Sequence, residues 1–150
     1  MKRPSVLAVA CVVLAAVSTG LLAGCDSGPT PGSKAAVARQ KANDTVIRQL
    51  EALPGGKVTA TIESSLDGGQ NNIEVDAVLP AAATTTQLKV MADTLERTIW
   101  LSHMSPLGRI GLIVGRQGDN DPALERLYQG EIHRRPLGVK YGPRPDGLPG

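Results

Sequence analysis

Phenylalanine is absent from this sequence, tryptophan occurs once and tyrosine twice. Any core must therefore be assembled from Val, Ile, Leu and Ala, which favours close helix-on-sheet packing over a pocket walled by aromatic rings. Cysteine is as scarce, with Cys11 and Cys25 alone. Cys11 lies inside an apolar N-terminal run, so the chain beyond Cys25 has no disulfide, no Cys-x-x-Cys redox pair and no thiolate metal site. His103 and His133 are the only histidines and no HxxxH or HExxH spacing exists, so a metal centre is not expected. GxSxG, SxxK, GxGxxG and Walker patterns are also missing, which leaves no hydrolase nucleophile and no phosphate loop. Neither sign of charge dominates: the formal net charge of +2 equals the contribution of Lys2 and Arg3. Nucleic-acid binding is disfavoured on that balance. No catalytic residue, metal or cofactor is expected.

What is present begins with Met1-Lys2-Arg3 followed by Val6 to Val17, a cationic start and an apolar run without a polar group. That is the pattern of an export signal, too short to cross a bilayer as a helix. Extension to Ala23 reaches spanning length only by including Ser18, Thr19 and Gly20. An uncleaved anchor and a plain secretory signal are the alternatives. The run ends in Leu22-Ala23-Gly24-Cys25, which resembles the lipobox of bacterial lipoproteins. The resemblance implies a diacylglycerol thioether on Cys25 and cleavage between Gly24 and Cys25, making residues 1–24 a signal peptide. A thiol supplies the soft nucleophile such alkylation needs. Two acyl chains would hold the product stably, since each buried methylene contributes about 0.8 kcal/mol. Cleavage would leave 150 − 24 = 126 residues, enough for one modest core.

Residues 25–33 carry DSGPTPG and read as a tether. A domain over 34–130 is expected next. Lys34 to Leu53 places Ala42, Val46, Leu50 and Leu53 on one helical face, with Ile47 beside them and Asn43 pointing elsewhere. Val58 to Leu66 and Ile73 to Leu79 alternate as strands around the turn Asp67-Gly68-Gly69-Gln70. Thr84-Thr85-Thr86 offers N-caps for a second helix lined by Leu88, Met91, Ala92, Leu95 and Ile99. Arg109 to Arg116 reads as an inner strand whose glycines let a helix backbone approach. Asp121-Pro122 suggests an N-cap and N1 for a short helix over Ala123 to Gln129. Residues 131–150, rich in Pro, Gly and Arg, read as an irregular tail frayed beyond Tyr141. The fold class is α+β: a two-layer sandwich with a largely antiparallel sheet of three strands, four if Leu137 to Tyr141 joins. Both helices lie on one face, in the order α-β-β-α-β of a ferredoxin-like fold without its first strand.

The lipobox, the composition, the stretch Ile99 to Val114 and the ending Tyr141 to Pro145 together resemble small lipoproteins of actinobacteria. That resemblance carries location but no activity and no catalytic residue. The expected localisation is the extracytoplasmic face of the cell membrane, held by lipid on Cys25, with an envelope protein as partner and no nucleic acid. The function expected is a non-catalytic binding or assembly module; a lipid or small-molecule carrier serving a transporter, and an enzyme with an unrecognised site, are the rivals. Candidate contact residues are Trp100, read first as core edge and otherwise as a hot spot, and the basic run His133-Arg134-Arg135 with Lys140 and Arg144, read first as a solvated tail and otherwise as a contact to head groups or an acidic partner. Ser102-His103 reads as helix-end polarity, and Glu74 with Asp76 as a solvated strand face, with acid-base work or a bound cation as the rival reading.

Overall fold

The computed structural model describes residues 33–64 and 69–145. The segments expected as export signal and lipobox, most of the expected tether, and Asp67-Gly68 of the expected turn lie outside them. Among the described residues, no helix is long and apolar enough to cross a membrane.

The element order is α1 (Lys34–Glu51), β1 (Lys57–Ser64), β2 (Asn71–Leu79), α2 (Thr85–Trp100), β3 (Leu107–Arg116), β4 (Leu124–Gln129) and α3 (Gly130–Tyr141). Helix α1 starts where Ser33 Oγ accepts the Ala36 N–H at 3.2 Å. Helix α2 starts in a capping box: Thr84 Oγ1 accepts the Gln87 N–H at 3.2 Å, and Gln87 Oε1 accepts the Thr84 N–H at 2.7 Å. The strands alternate as their sequences require, with Ile73, Val75, Ala77 and Leu79 buried and Glu74, Asp76 and Val78 exposed.

The sheet has the order β1-β2-β3-β4 and is mixed. Strands β1 and β2 pair antiparallel, β2 and β3 parallel, and β3 and β4 antiparallel. This corrects the ferredoxin-like expectation. A ferredoxin-like fold splits its βαβ unit with an intervening strand, whereas β2-α2-β3 here joins immediate neighbours. The segment expected as a short helix, Ala123 to Gln129, forms β4 from Leu124. Its alternation places Leu124, Arg126 and Tyr128 opposite Val114, Leu112 and Ile110, on the side facing α2, and its backbone satisfies the open edge of β3. The fourth strand is therefore not Leu137 to Tyr141.

The irregular tail is corrected too. Helix α3 forms despite Pro136, which has no N–H to bond one turn back, because its inner face is held by tertiary contacts. Leu137 is buried in the common core, Gly138 lets the helix approach until an added Cβ would stand 3.4 Å from Trp100 Cζ2, and Arg144 beyond it is only 4 % exposed.

The buried residues of α1, α2, α3, β1, β2 and β3 form one cluster. Asn43 belongs to the buried side of α1, contrary to expectation, because it donates to Asn71 Oδ1 at 3.2 Å. Gly111 and Gly115 lie on the opposite side of the sheet from the helices, so they do not serve helix approach; an added Cβ at Gly111 would meet Glu74. That outer face carries Thr59, Thr61, Glu63, Glu74 and Asp76, with Val78, Ile113 and Leu127 also exposed.

Candidate functional site

A groove of about 590 Å³ opens at one end of the sheet. Its walls come from three places that the chain order brings together. The turn after α1 gives Leu53, Pro54 and Gly55; the end of β2 and its loop give Leu79, Pro80, Ala82 and Ala83. The first three turns of α2 supply Thr86, Gln87, Val90, Met91 and Thr94. None of these residues is charged. Gly55 has φ +100°, a conformation that favours glycine, and its bare Cα faces the Met91 methyl. Val90 is 60 % exposed at the mouth and Met91 is buried at the base. Arg116 fastens the loop wall by donating from Nε to the Ala83 carbonyl at 2.6 Å, while Nη1 meets Asp119 at 3.3 Å.

The position follows from topology. Parallel strands β2 and β3 both end here, and the helix that links them starts here. The carboxyl ends of parallel strands beside a crossing helix are where open sheets with such units bind ligands. The lack of aromatics argued against a pocket. Prolines, alanines and one methionine make the walls instead.

The second feature is polar. Glu96 on α2 is buried, and both carboxylate oxygens are fully engaged. Oε1 accepts from Arg126 and from the Tyr128 hydroxyl, each at 2.5 Å. Oε2 accepts from the Tyr141 hydroxyl at 2.9 Å and Lys140 Nζ at 3.2 Å. Asp93, one turn earlier, accepts from Lys140 at 2.8 Å and Arg126 at 3.0 Å. Both tyrosines of the chain thus reach one carboxylate. Burial alone would raise the Glu96 pKa, but hydrogen bonds from Arg126, Tyr128 and Tyr141 outweigh it and hold the group below the ordinary carboxylate range. The bond from Lys140 lowers Asp93 likewise. Burial, reinforced by Glu96, pushes the Tyr128 hydroxyl up to about 12, and burial raises Tyr141. This arrangement joins α2 to β4 and α3, and its carboxylates are consumed by protein donors. Sequence reading missed Glu96, although its spacing from Ala92 and Ile99 puts it on the apolar stripe of α2.

The residues singled out from sequence are dispersed. Trp100 is 5 % exposed, donates Nε1–H to the Gly142 carbonyl at 2.8 Å and lies under the Arg144 guanidinium at 5.5 Å. It therefore sits in the core and offers little surface to a partner. His133 and Arg135 are exposed on α3, whereas Arg134 points inward and donates to the Leu107 and Gly108 carbonyls. Arg144 donates to the carbonyls of Trp100, Ser102 and Met104 and closes the end of α2. Burial and the neighbouring Arg134 lower its pKa. The basic run is thus not one patch. Ser102 Oγ donates to the Ile99 carbonyl at 2.7 Å and is buried, while the His103 side chain is exposed. Glu74 pairs with Arg109 across the outer face, and Asp76 lies beside it. Among the described residues, no three His, Cys, Asp or Glu side chains converge as metal ligands. Cys25 and Gly24 lie outside the described residues.

No protein-family model, curated protein or solved structure matches this chain.

Proposed function

We propose that this chain is an extracytoplasmic lipoprotein, held on the cell membrane by acyl groups on Cys25, whose domain is a non-catalytic binding module. Its body is two-layered, with helices on one side and the polar sheet face on the other, and its ligand site is the groove at the carboxyl ends of β2 and β3. The observation that carries the reading is the chemistry of that groove: about 590 Å³ lined by apolar and neutral side chains alone. Pockets that bind small ligands span about 300–1,000 Å³ and are mostly apolar. A catalytic site needs free titratable groups at a concave surface, and the buried acid here, Glu96, is saturated by its own donors. The lipobox supplies the location.

The anchor is tested by the mass of the mature N-terminus and by Cys25→Ala. An N-terminal cysteine carrying acyl mass, and release of the variant from membranes, are expected. A parent product that starts elsewhere without acyl mass, or a variant that stays as firmly bound, refutes it. The binding site is tested by Val90→Glu, which places a carboxylate at the groove mouth without disturbing a buried side chain and is expected to abolish apolar ligand uptake.

A further inference from the structure

We infer that the groove takes a single-chain anionic amphiphile, its hydrocarbon tail along Leu53, Met91 and Val90 and its head group beside Lys57. The inference rests on the binding-module reading above and adds the ligand's chemistry. The tail follows from the lining: a peptide segment brings backbone amides that need partners, and a groove without charge and with few polar atoms offers too few. A hydrocarbon chain asks for none.

The head group follows from what adjoins the groove. Leu79 and Pro80 also wall a second concavity of about 400 Å³, completed by Gly56, Lys57, Val78 and Gln117. The two share Leu79 and Pro80 at the end of β2, so a chain lying in the first can carry its head over that ridge to the outer side of the sheet, where Lys57 stands. Lys57 is the one charged side chain lining either, and it is cationic. Charge complementarity therefore selects a carboxylate or phosphate head over a neutral one.

The chain's own acyl groups are poorly placed to be the occupant. The groove lies at the C-terminal end of α1, whose 18 residues span about 27 Å. Cys25 precedes Ser33 by 33 − 25 = 8 residues, which reach at most about 26–29 Å when fully extended. The tether would have to run straight back along the whole helix to deliver its lipid. A ligand arriving from elsewhere meets no such demand.

The test uses the full chain in phosphatidylcholine vesicles with palmitic acid bearing a photoactivated diazirine, and the matching alcohol, with crosslinks mapped by mass spectrometry. Labelling by the acid is expected on Leu53 to Gly55 and Thr86 to Thr94. It should fall about tenfold or more in Val90→Glu, where an unpaired carboxylate would be buried by the tail. Lys57→Gln should weaken labelling by the acid about two- to fivefold, the scale of one exposed charge pair, and leave the alcohol unchanged. Labelling indifferent to Val90→Glu, or equal labelling by acid and alcohol, overturns the proposal. Labelling that appears only in Cys25→Ala also overturns it, because the occupant is then the chain's own lipid. The same spectra report acyl mass on Cys25: its absence refutes the anchored reading and leaves the groove result standing.

Discussion

Replacing Glu96 by Gln should cost this domain a large part of its stability. The substitution keeps the shape and changes two things: the charge goes, and one oxygen becomes an N–H₂ donor. Four donors converge on Glu96, two on each oxygen. The amide oxygen can keep Arg126 and Tyr128, but the nitrogen then faces the Lys140 ammonium and the Tyr141 hydroxyl, donor against donor. Tyr141 has a partial escape, since its hydroxyl already lies 3.1 Å from the Asp93 carbonyl. Arg126 keeps only Asp93 as a carboxylate partner. Removing one member of a buried ion pair typically costs about 3–5 kcal/mol, against a total of about 5–15 kcal/mol for a domain of this kind. At about 4 °C per kcal/mol, the melting temperature should fall by about 12–20 °C.

Trp100 is the sole tryptophan, so urea unfolding followed by its fluorescence measures the loss directly. The pH dependence adds a signature that a packing defect would not give. Glu96 has a folded pKa below its unfolded value, so its contribution is present above the ordinary carboxylate pKa and is lost as pH falls through the folded one. The gap between parent and variant should therefore close in acid. A loss under about 1 kcal/mol at neutral pH, or a gap that persists unchanged into acid, would refute the assignment of Glu96 as a charged structural centre.

The same cluster predicts an unusual alkaline titration. With the Tyr128 pKa raised to about 12, its contribution is complete below about 10 and is lost as pH rises through about 12; tyrosinate absorbance should show this, and Glu96→Gln should move the transition back toward about 10. Gly108→Ala would place a Cβ 2.6 Å from Asn72 Oδ1, an atom that accepts the Arg109 N–H at 3.0 Å, and should destabilise by about 1–3 kcal/mol in the same urea assay. Arg144→Met removes the donors to three carbonyls at the end of α2 and should cost about 2–4 kcal/mol, with Trp100 emission shifted to the red as its ring loses cover.

Local pattern was enough for five of the seven elements. Val46 and Leu50, the alternation of Val58 and Ala60, that from Ile73 to Leu79, the threonines before Leu88 and the triplet Ile110, Leu112, Val114 each encode their element and its inner side. Where two local codes compete, the sequence misleads. Asp121-Pro122 announces a helix, but Leu124, Arg126 and Tyr128 also alternate, and the choice is made by something distant: the open edge of β3 and the carboxylate of Glu96. Pro136 and Gly138 disqualify α3 by propensity, yet Leu137, Arg134 and Tyr141 hold it by contacts to other elements. The parallel pairing of β2 with β3 is a topological fact with no local signature, and the groove depends on it. Thus α1, α2 and the first three strands were legible, while β4, α3 and the groove, built from turns meeting at strand ends, were not.

The distribution of polar chemistry gives the groove its character. At the end where α1 begins, buried polar groups are dense: Asn43 reaches Asn71, Ser64 and Ser105 meet the same Asn71, and Arg134 and Arg144 tie down the carbonyls around Leu107 and Met104. Midway, the Glu96 cluster joins three elements. At the groove end the side-chain bonds are lighter: the capping box at Thr84, and Arg116 meeting the Ala83 carbonyl, Asp119 and Thr85. The Asn71 and arginine networks thus fasten the end where α1 begins, while the groove end carries fewer buried side-chain bonds. An apolar chain lying on that uncharged lining leaves no charged group unsatisfied, which a groove walled by the Glu96 cluster could not offer. That is the physical reason the proposed ligand site is the plain end of the molecule rather than its most elaborate cluster of side chains.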